Sequence, residues 1–136
     1  MKKNNPPYTI PITHAVQDYA DATTYYFCNK PASSAATGAN DRNGVIARTG
    51  VIRGVAIVFN IGTGGTTENC PYYVRINNTT DYLIGNAVLN TNLNTLINNN
   101  MNIAVTAGDK VQIKIITPTW ATNPLQVCPN GHIMVV

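Results

Sequence analysis

Charge is scarce in this chain. Nine Lys and Arg and six Asp and Glu make up 11% of its 136 residues, less than half the ~25% usual in globular domains. The basic residues are scattered, from Lys2 and Lys3 through Lys30, Arg42, Arg48, Arg53 and Arg75 to Lys110 and Lys114. They form no stripe of helix length and do not interleave with aromatics, so no nucleic-acid partner is expected. Long apolar runs are missing as well. None approaches the ~18 residues of a transmembrane helix, so no membrane insertion is expected. Behind Met1-Lys2-Lys3 come Asn4-Asn5-Pro6-Pro7, which is no secretory apolar region. The expectation is a protein made in the cytoplasm that reaches any outside site by another route, such as lysis.

Reaction-specific motifs are lacking too. There is no GxSxG and no HExxH. GTGGTT, residues 62–67, lacks the Lys-Ser/Thr ending of a phosphate loop and precedes a strand rather than a helix. The three cysteines, Cys28, Cys70 and Cys128, contain no CxxC pair, which disfavours zinc. Their odd number disfavours a full disulfide framework. Buried free thiols are the favoured reading, with one disulfide and a spare thiol left open. Cys128 and His132 are four apart, which on a strand is ~13 Å, too far for direct proton transfer. The six carboxylates are Asp18, Asp21, Asp41, Glu68, Asp81 and Asp109; they show no pairing of the kind glycoside hydrolysis needs, at ~5–9 Å separation. The chain is therefore expected to be no enzyme, with no catalytic residue, cofactor or metal.

What is abundant is Asn and Thr, nineteen and seventeen residues. Asn suits turns and loops, and Thr suits exposed strand faces. With 136 residues the chain forms one domain and buries roughly 68% of its unfolded surface. The clearest pattern lies at 101–115. Met101, Ile103 and Val105 alternate with polar or small residues. Ala107-Gly108-Asp109 makes a turn, and Val111, Ile113 and Ile115 alternate again. Period two on both sides of a Gly-Asp turn predicts an antiparallel hairpin. Further strands are expected at 23–28, 45–49, 51–60, 72–77, 82–84 and 131–136. Residues 78–81 read as a turn. Residues 86–100 read as loop and short strand, with one helical turn open. Short strands with turn signals between them predict an all-β antiparallel sandwich or jelly roll.

Residues 1–20 read as a separate extended arm, since Pro6, Pro7 and Pro11 interrupt regular structure. Their apolar members Tyr8, Ile10, Ile12 and Val16 are candidates for docking onto a larger assembly. Residues 21–136 form the domain. The only Trp, Trp120, lies between Pro118 and Pro124. It is either packed in a rigid corner or, with Tyr82, available to stack on a sugar.

Two segments carry a resemblance. YYVRINNTTDYLI from Tyr72, together with NNNMNIAVTAGDKVQIKIITPTWATNP and a closing GHIMVV, is similar to small β-jelly-roll virion proteins of tailed phages and large DNA viruses. The Gly-Asp turn feeding an alternating strand also resembles the trimeric heads of the complement C1q and tumour-necrosis-factor superfamily. The resemblance implies a virion surface protein: a head fibre, capsid decoration or receptor-binding knob. Its partners would be two further copies of itself, other virion proteins and, in the alternative reading, a host glycan. The threefold interface is then expected from the Val55–Phe59 strand and from Tyr25, Tyr26, Tyr72 and Tyr73.

Overall fold

The computed structural model describes residues 5–136; Met1, Lys2, Lys3 and Asn4, the start of the expected arm, lie outside the described residues. The elements are β1 (Tyr8–His14), β2 (Thr24–Phe27), β3 (Asn29–Lys30), a short 3₁₀ turn (Ala39–Asp41), β4 (Gly44–Val45), β5 (Gly50–Thr63), β6 (Cys70–Ile76), β7 (Thr80–Ala87), β8 (Leu93–Asn98), β9 (Ile103–Val105), β10 (Lys110–Ile116) and β11 (Leu125–Val135). The all-β sandwich expected from the sequence is what forms. One sheet runs β3-β1-β11-β5-β8, with β9 also on β5; the other runs β2-β10-β6-β7, with β4 also on β10.

The pairings are nested. β1 meets β11, β2 and β4 meet β10, β5 meets β8 and β9, and β6 meets β7. This is one long antiparallel ribbon folded at its middle. The ribbon is rolled so that β11 also pairs with β5 and β10 with β6. Such a rolled ribbon is a jelly roll. Its innermost turn is Asn77-Asn78-Thr79, between paired Ile76 and Thr80; Asn77 and Asn78 are both at positive φ (53° and 57°), the left-handed conformation that tight hairpin turns use and that Asn tolerates. The turn thus sits earlier than residues 78–81, and Thr80 and Asp81 already belong to β7.

The expected hairpin at 101–115 is corrected. β9 belongs to the first sheet and β10 to the second, so the chain turns a corner between sheets at 107–109. Gly108 takes φ +94°, where a side chain would be strained. Asp109 Oδ2 accepts the Thr106 N–H at 2.8 Å, and that bond, with a second from Asn77, holds its carboxyl below the usual range. The opposite strand of the ribbon turns the same corner between β4 and β5. Ile46 and Asp109 stay hydrogen-bonded across it (2.8 Å). Residues 93–98 of the ambiguous stretch are strand β8, with no helical turn.

The described part of the segment expected as an arm lies along the first sheet. β1 pairs with β11 along its length, from Tyr8↔Val135 to Thr13↔Asn130. Ile12, His14 and Tyr19 are core residues. Between the sheets, Phe59 of β5 and Tyr72 of β6 meet edge to face at 5.1 Å. Burying a side chain of this size contributes roughly 1.5–3 kcal/mol, and the same interior is continued by Phe27, Ile57, Ile113 and Ile133.

Candidate functional site: two outer faces and a buried polar chain

In both sheets alternate side chains point inward, so each sheet presents an outer face whose chemistry the sequence alone does not assign. On the first sheet, the cross-strand rows are Pro11–His132–Ala56–Ile97 and Thr13–Asn130–Val58–Thr95. β1, β8, β9 and β11 contain no Lys, Arg, Asp or Glu; β5 contains only Arg53, and the two-residue edge strand β3 only Lys30. Leu93 and Ile97 are 65% and 60% exposed. A shallow depression of about 280 Å³ runs along Ala56, Val58, Thr95, Ile97, Asn130 and His132.

The outer face of the second sheet is built on charge. Asp81 Oδ1 lies 2.8 Å from Arg75 Nη1, and its Oδ2 lies 2.7 Å from Lys114 Nζ. Arg75 stands over the Tyr26 ring (5.6 Å) and Lys114 over Tyr73 (5.8 Å), both within cation–π range. Part of this face is also roofed. Gln112 alternates with inward Val111 and Ile113, so it points outward, yet it is fully buried. Its Nε2 donates to Asn78 Oδ1 at 2.7 Å, and Asn78 in turn donates to Asn40 of the β3–β4 loop at 3.1 Å.

The expected interface residues fall on different surfaces. Val55, Ile57 and Phe59 point into the core, as do Tyr25 and Tyr72. Tyr26 and Tyr73 lie on the second sheet's outer face. They cannot form one interface, because strand alternation sends neighbours to opposite sides.

The docking candidates divide similarly. Ile12 is 1% exposed. Ile10 and Tyr8 pack against the core, and the Tyr8 hydroxyl donates to Arg48 O at 3.1 Å beneath the Arg48 guanidinium. Only Val16 offers an exposed apolar side chain, at 60%.

Trp120 is 4% exposed and its Nε1 is buried without a partner, so it offers no face to a sugar. Its corner is structural. Trp120 N and Asn123 Nδ2 both donate to Asp21 Oδ1 (3.2 and 2.9 Å). Thr117 Oγ1 donates to Ala20 O at 2.6 Å and accepts from Thr23 N at 2.8 Å. Ala121 N reaches Glu68, near the start of β6, whereas the half-exposed Tyr82 faces Val74 midway along it. Trp120 and Tyr82 therefore do not make one site.

A chain of hydrogen bonds crosses the interior from one sheet to the other. His14 Nδ1 lies 2.6 Å from the Ala15 carbonyl and so carries the ring proton. Nε2 accepts from the Tyr19 hydroxyl at 2.7 Å, and Tyr19 in turn accepts from Tyr72 at 3.2 Å. Burial drives the His14 pKa down from 6.5 to about 4, partly opposed by the bond to Ala15. Burial also raises both phenols. All three cysteines are free thiols. Burial pushes Cys70 up to about 12 and also raises Cys28, which makes both poor nucleophiles. Among the described residues no three His, Cys, Asp or Glu side chains gather as metal ligands, and no helix is long and apolar enough to cross a membrane.

No family model matches this chain, and no curated protein matches it in sequence. Among solved structures it is similar to a chain from Desmodium yellow mottle tymovirus, at 12% identity and a TM-score of 0.32, over 97% of this chain and 89% of that one. A likeness that distant carries no functional argument.

Proposed function

We propose that this chain is a structural protein of a virion surface, a jelly-roll subunit that assembles as a homotrimer on a capsid or fibre base. The observation that supports the reading best is the uncharged middle of the first sheet's outer face, away from Arg53 on β5 and Lys30 on β3. Covering a charged face strips ions of water at several kcal/mol each unless every charge is paired. The stretch of this face around Pro11–His132–Ala56–Ile97 and Thr13–Asn130–Val58–Thr95 carries no such cost, and it presents Ile97, Val58 and Ala56 close together. A net charge of +3 would oppose self-association wherever basic residues faced each other; the rows along this face carry none. The two segments that resemble virion proteins form the Arg75–Asp81 clamp across the innermost hairpin and the Trp120 corner. Both are devices that hold a scaffold rather than bind a ligand.

Light scattering on the purified protein is expected to give the mass of three 14.6 kDa chains at micromolar concentration, and the protein is expected to co-sediment with purified particles. A stable monomer, or particles lacking the chain, would sink this reading.

A further inference from the structure

We propose that the end of the first sheet holds a binding site for a neutral saccharide, built from the amides of Asn60, Asn92 and Gln126 with Val16 and Cys128 on its walls. These residues line an open pocket of about 450 Å³, within the usual size range of small-molecule sites. Its lining mixes amide, thiol and methyl groups and contains no charged side chain.

Three observations point to a ligand. First, many side-chain amides elsewhere in the fold are engaged: those of Gln17, Asn77, Asn78, Gln112 and Asn123 all bond within the protein. Among the described residues the exposed side chains of Asn60, Asn92 and Gln126 make no such bond, so three amides, each a donor and an acceptor, converge on one concavity. Second, Gln126 is held in a backbone conformation that glutamine rarely adopts, with φ +58°. Its N–H donates to Asp18 Oδ1 at 2.7 Å, which fixes the strained residue. Such conformations cost about 1–3 kcal/mol and persist where the surroundings impose them. Third, Gly62 lies beneath the Gln126 amide, in space that a side chain at residue 62 would take. Asp18, the positive φ and Gly62 together set the Gln126 side chain over the pocket.

The lining selects the ligand class. Amides offer a donor and an acceptor side by side, the pair that vicinal sugar hydroxyls match. Val16, 60% exposed, gives an apolar contact for a sugar C–H face. With no charged residue in the lining, a carboxylate, sulfate or phosphate would lose its hydration without a counter-charge. The site does not rest on the assembly reading, since every residue named comes from one chain.

Cys128 supplies the readout. It is half-buried in the pocket wall, while Cys28 and Cys70 are buried and act as internal controls for unfolding. The full chain is treated with iodoacetamide in the presence of glucose, galactose, mannose or N-acetylglucosamine, and in parallel with sialic acid and sulfated saccharides. At least one neutral sugar is expected to slow Cys128 alkylation severalfold. Gln126→Gly, which also relieves the positive φ, and Asn92→Ala are each expected to weaken calorimetric binding of that sugar by about tenfold, the loss of one hydrogen bond. Protection by charged saccharides alone, by none of the panel, or binding unchanged in both variants would overturn the proposal.

Discussion

The two sheets share one interior but show solvent very different outer faces. The face on β2, β10, β6 and β7 carries Arg75, Lys114 and Asp81 in contact, with Tyr26 and Tyr73 beneath the cations. The face on β1, β11, β5 and β8 carries Thr, Asn, Ala, Val and Ile along its middle rows, with His132 between Pro11 and Ala56 and its one Arg, Arg53, near the start of β5. Inward-pointing residues cannot produce this difference, because both sheets bury the same kinds of side chain. The contrast teaches that the fold needs only the inner faces to be apolar. The outer faces are therefore free to differ, and in the proposed assembly the uncharged stretch is covered while the charged face stays wet.

The largest expected effect comes from putting a charge on the uncharged face. Val58→Lys places an ammonium in the row Thr13–Asn130–Val58–Thr95 and is expected to turn the proposed trimer into monomer in light scattering, with the fold intact by circular dichroism. Tyr73→Lys on the other sheet is expected to leave the mass unchanged. If both variants, or neither, lose the trimer, the two faces do not differ in the way argued.

The next effect concerns what joins the sheets. His14, on β1, touches Phe27 of β2 at 4.9 Å and reaches Tyr72 of β6 through Tyr19. Its hydrogen-bond partners and ring contacts include no carboxylate. Its pKa falls from 6.5 to about 4 on folding, so below pH 6.5 the unfolded chain binds a proton that the folded chain refuses. Stability from this residue is thus complete above pH 6.5, declines between 6.5 and 4, and levels off below that. The loss amounts to about 3 kcal/mol. Urea unfolding at about pH 7 and about pH 4 measures it, and His14→Gln is expected to flatten the dependence within that window. An unchanged slope in the variant would assign the pH dependence to other groups.

The smallest effect is on the charged face itself. Asp81→Asn removes the partner of both Arg75 and Lys114, each partly exposed. A loss of roughly 0.5–1 kcal/mol is expected, shrinking in high salt. A loss several times larger would mean that the cluster holds the hairpin as a buried network does.

Much of the strand pattern is legible in the sequence. Residues 24–27, 51–60, 72–76 and 111–115 alternate or run apolar where strands lie, and Asn77-Asn78 and Asn99-Asn100 fall between strands. The terminal strand is legible only from Gly131; its first half, from Leu125, contains Pro129 and the positive-φ Gln126, which hide the pattern. The resemblance segments are structural once their partners are visible: Arg75 clamps Asp81, and Asp21 ties down Trp120 and Asn123. β1 is not legible as a strand, because Pro11 is tolerated only where its N side meets no partner strand, and nothing local says that β3 pairs with β1 only at Thr13 and His14. The amide pocket leaves no local signal, since Val16, Asn60, Asn92 and Gln126 are brought together from four separate stretches.

By itself the sequence determined which side chains face inward. Alternation at Ile103, Val105, Val111, Ile113 and Ile115 is a property of each strand, and it survives in the structure unchanged. Only the tertiary structure decided to which sheet each strand belongs. A ribbon that turns a corner at Gly108 keeps its inner side inward just as a flat hairpin does, so period two is the same for both. Choosing between them depends on partners far away along the chain, such as Val105 on Gly50 and Ile113 on Val74 and Phe27. The outer faces, and whatever binds them, follow from that choice.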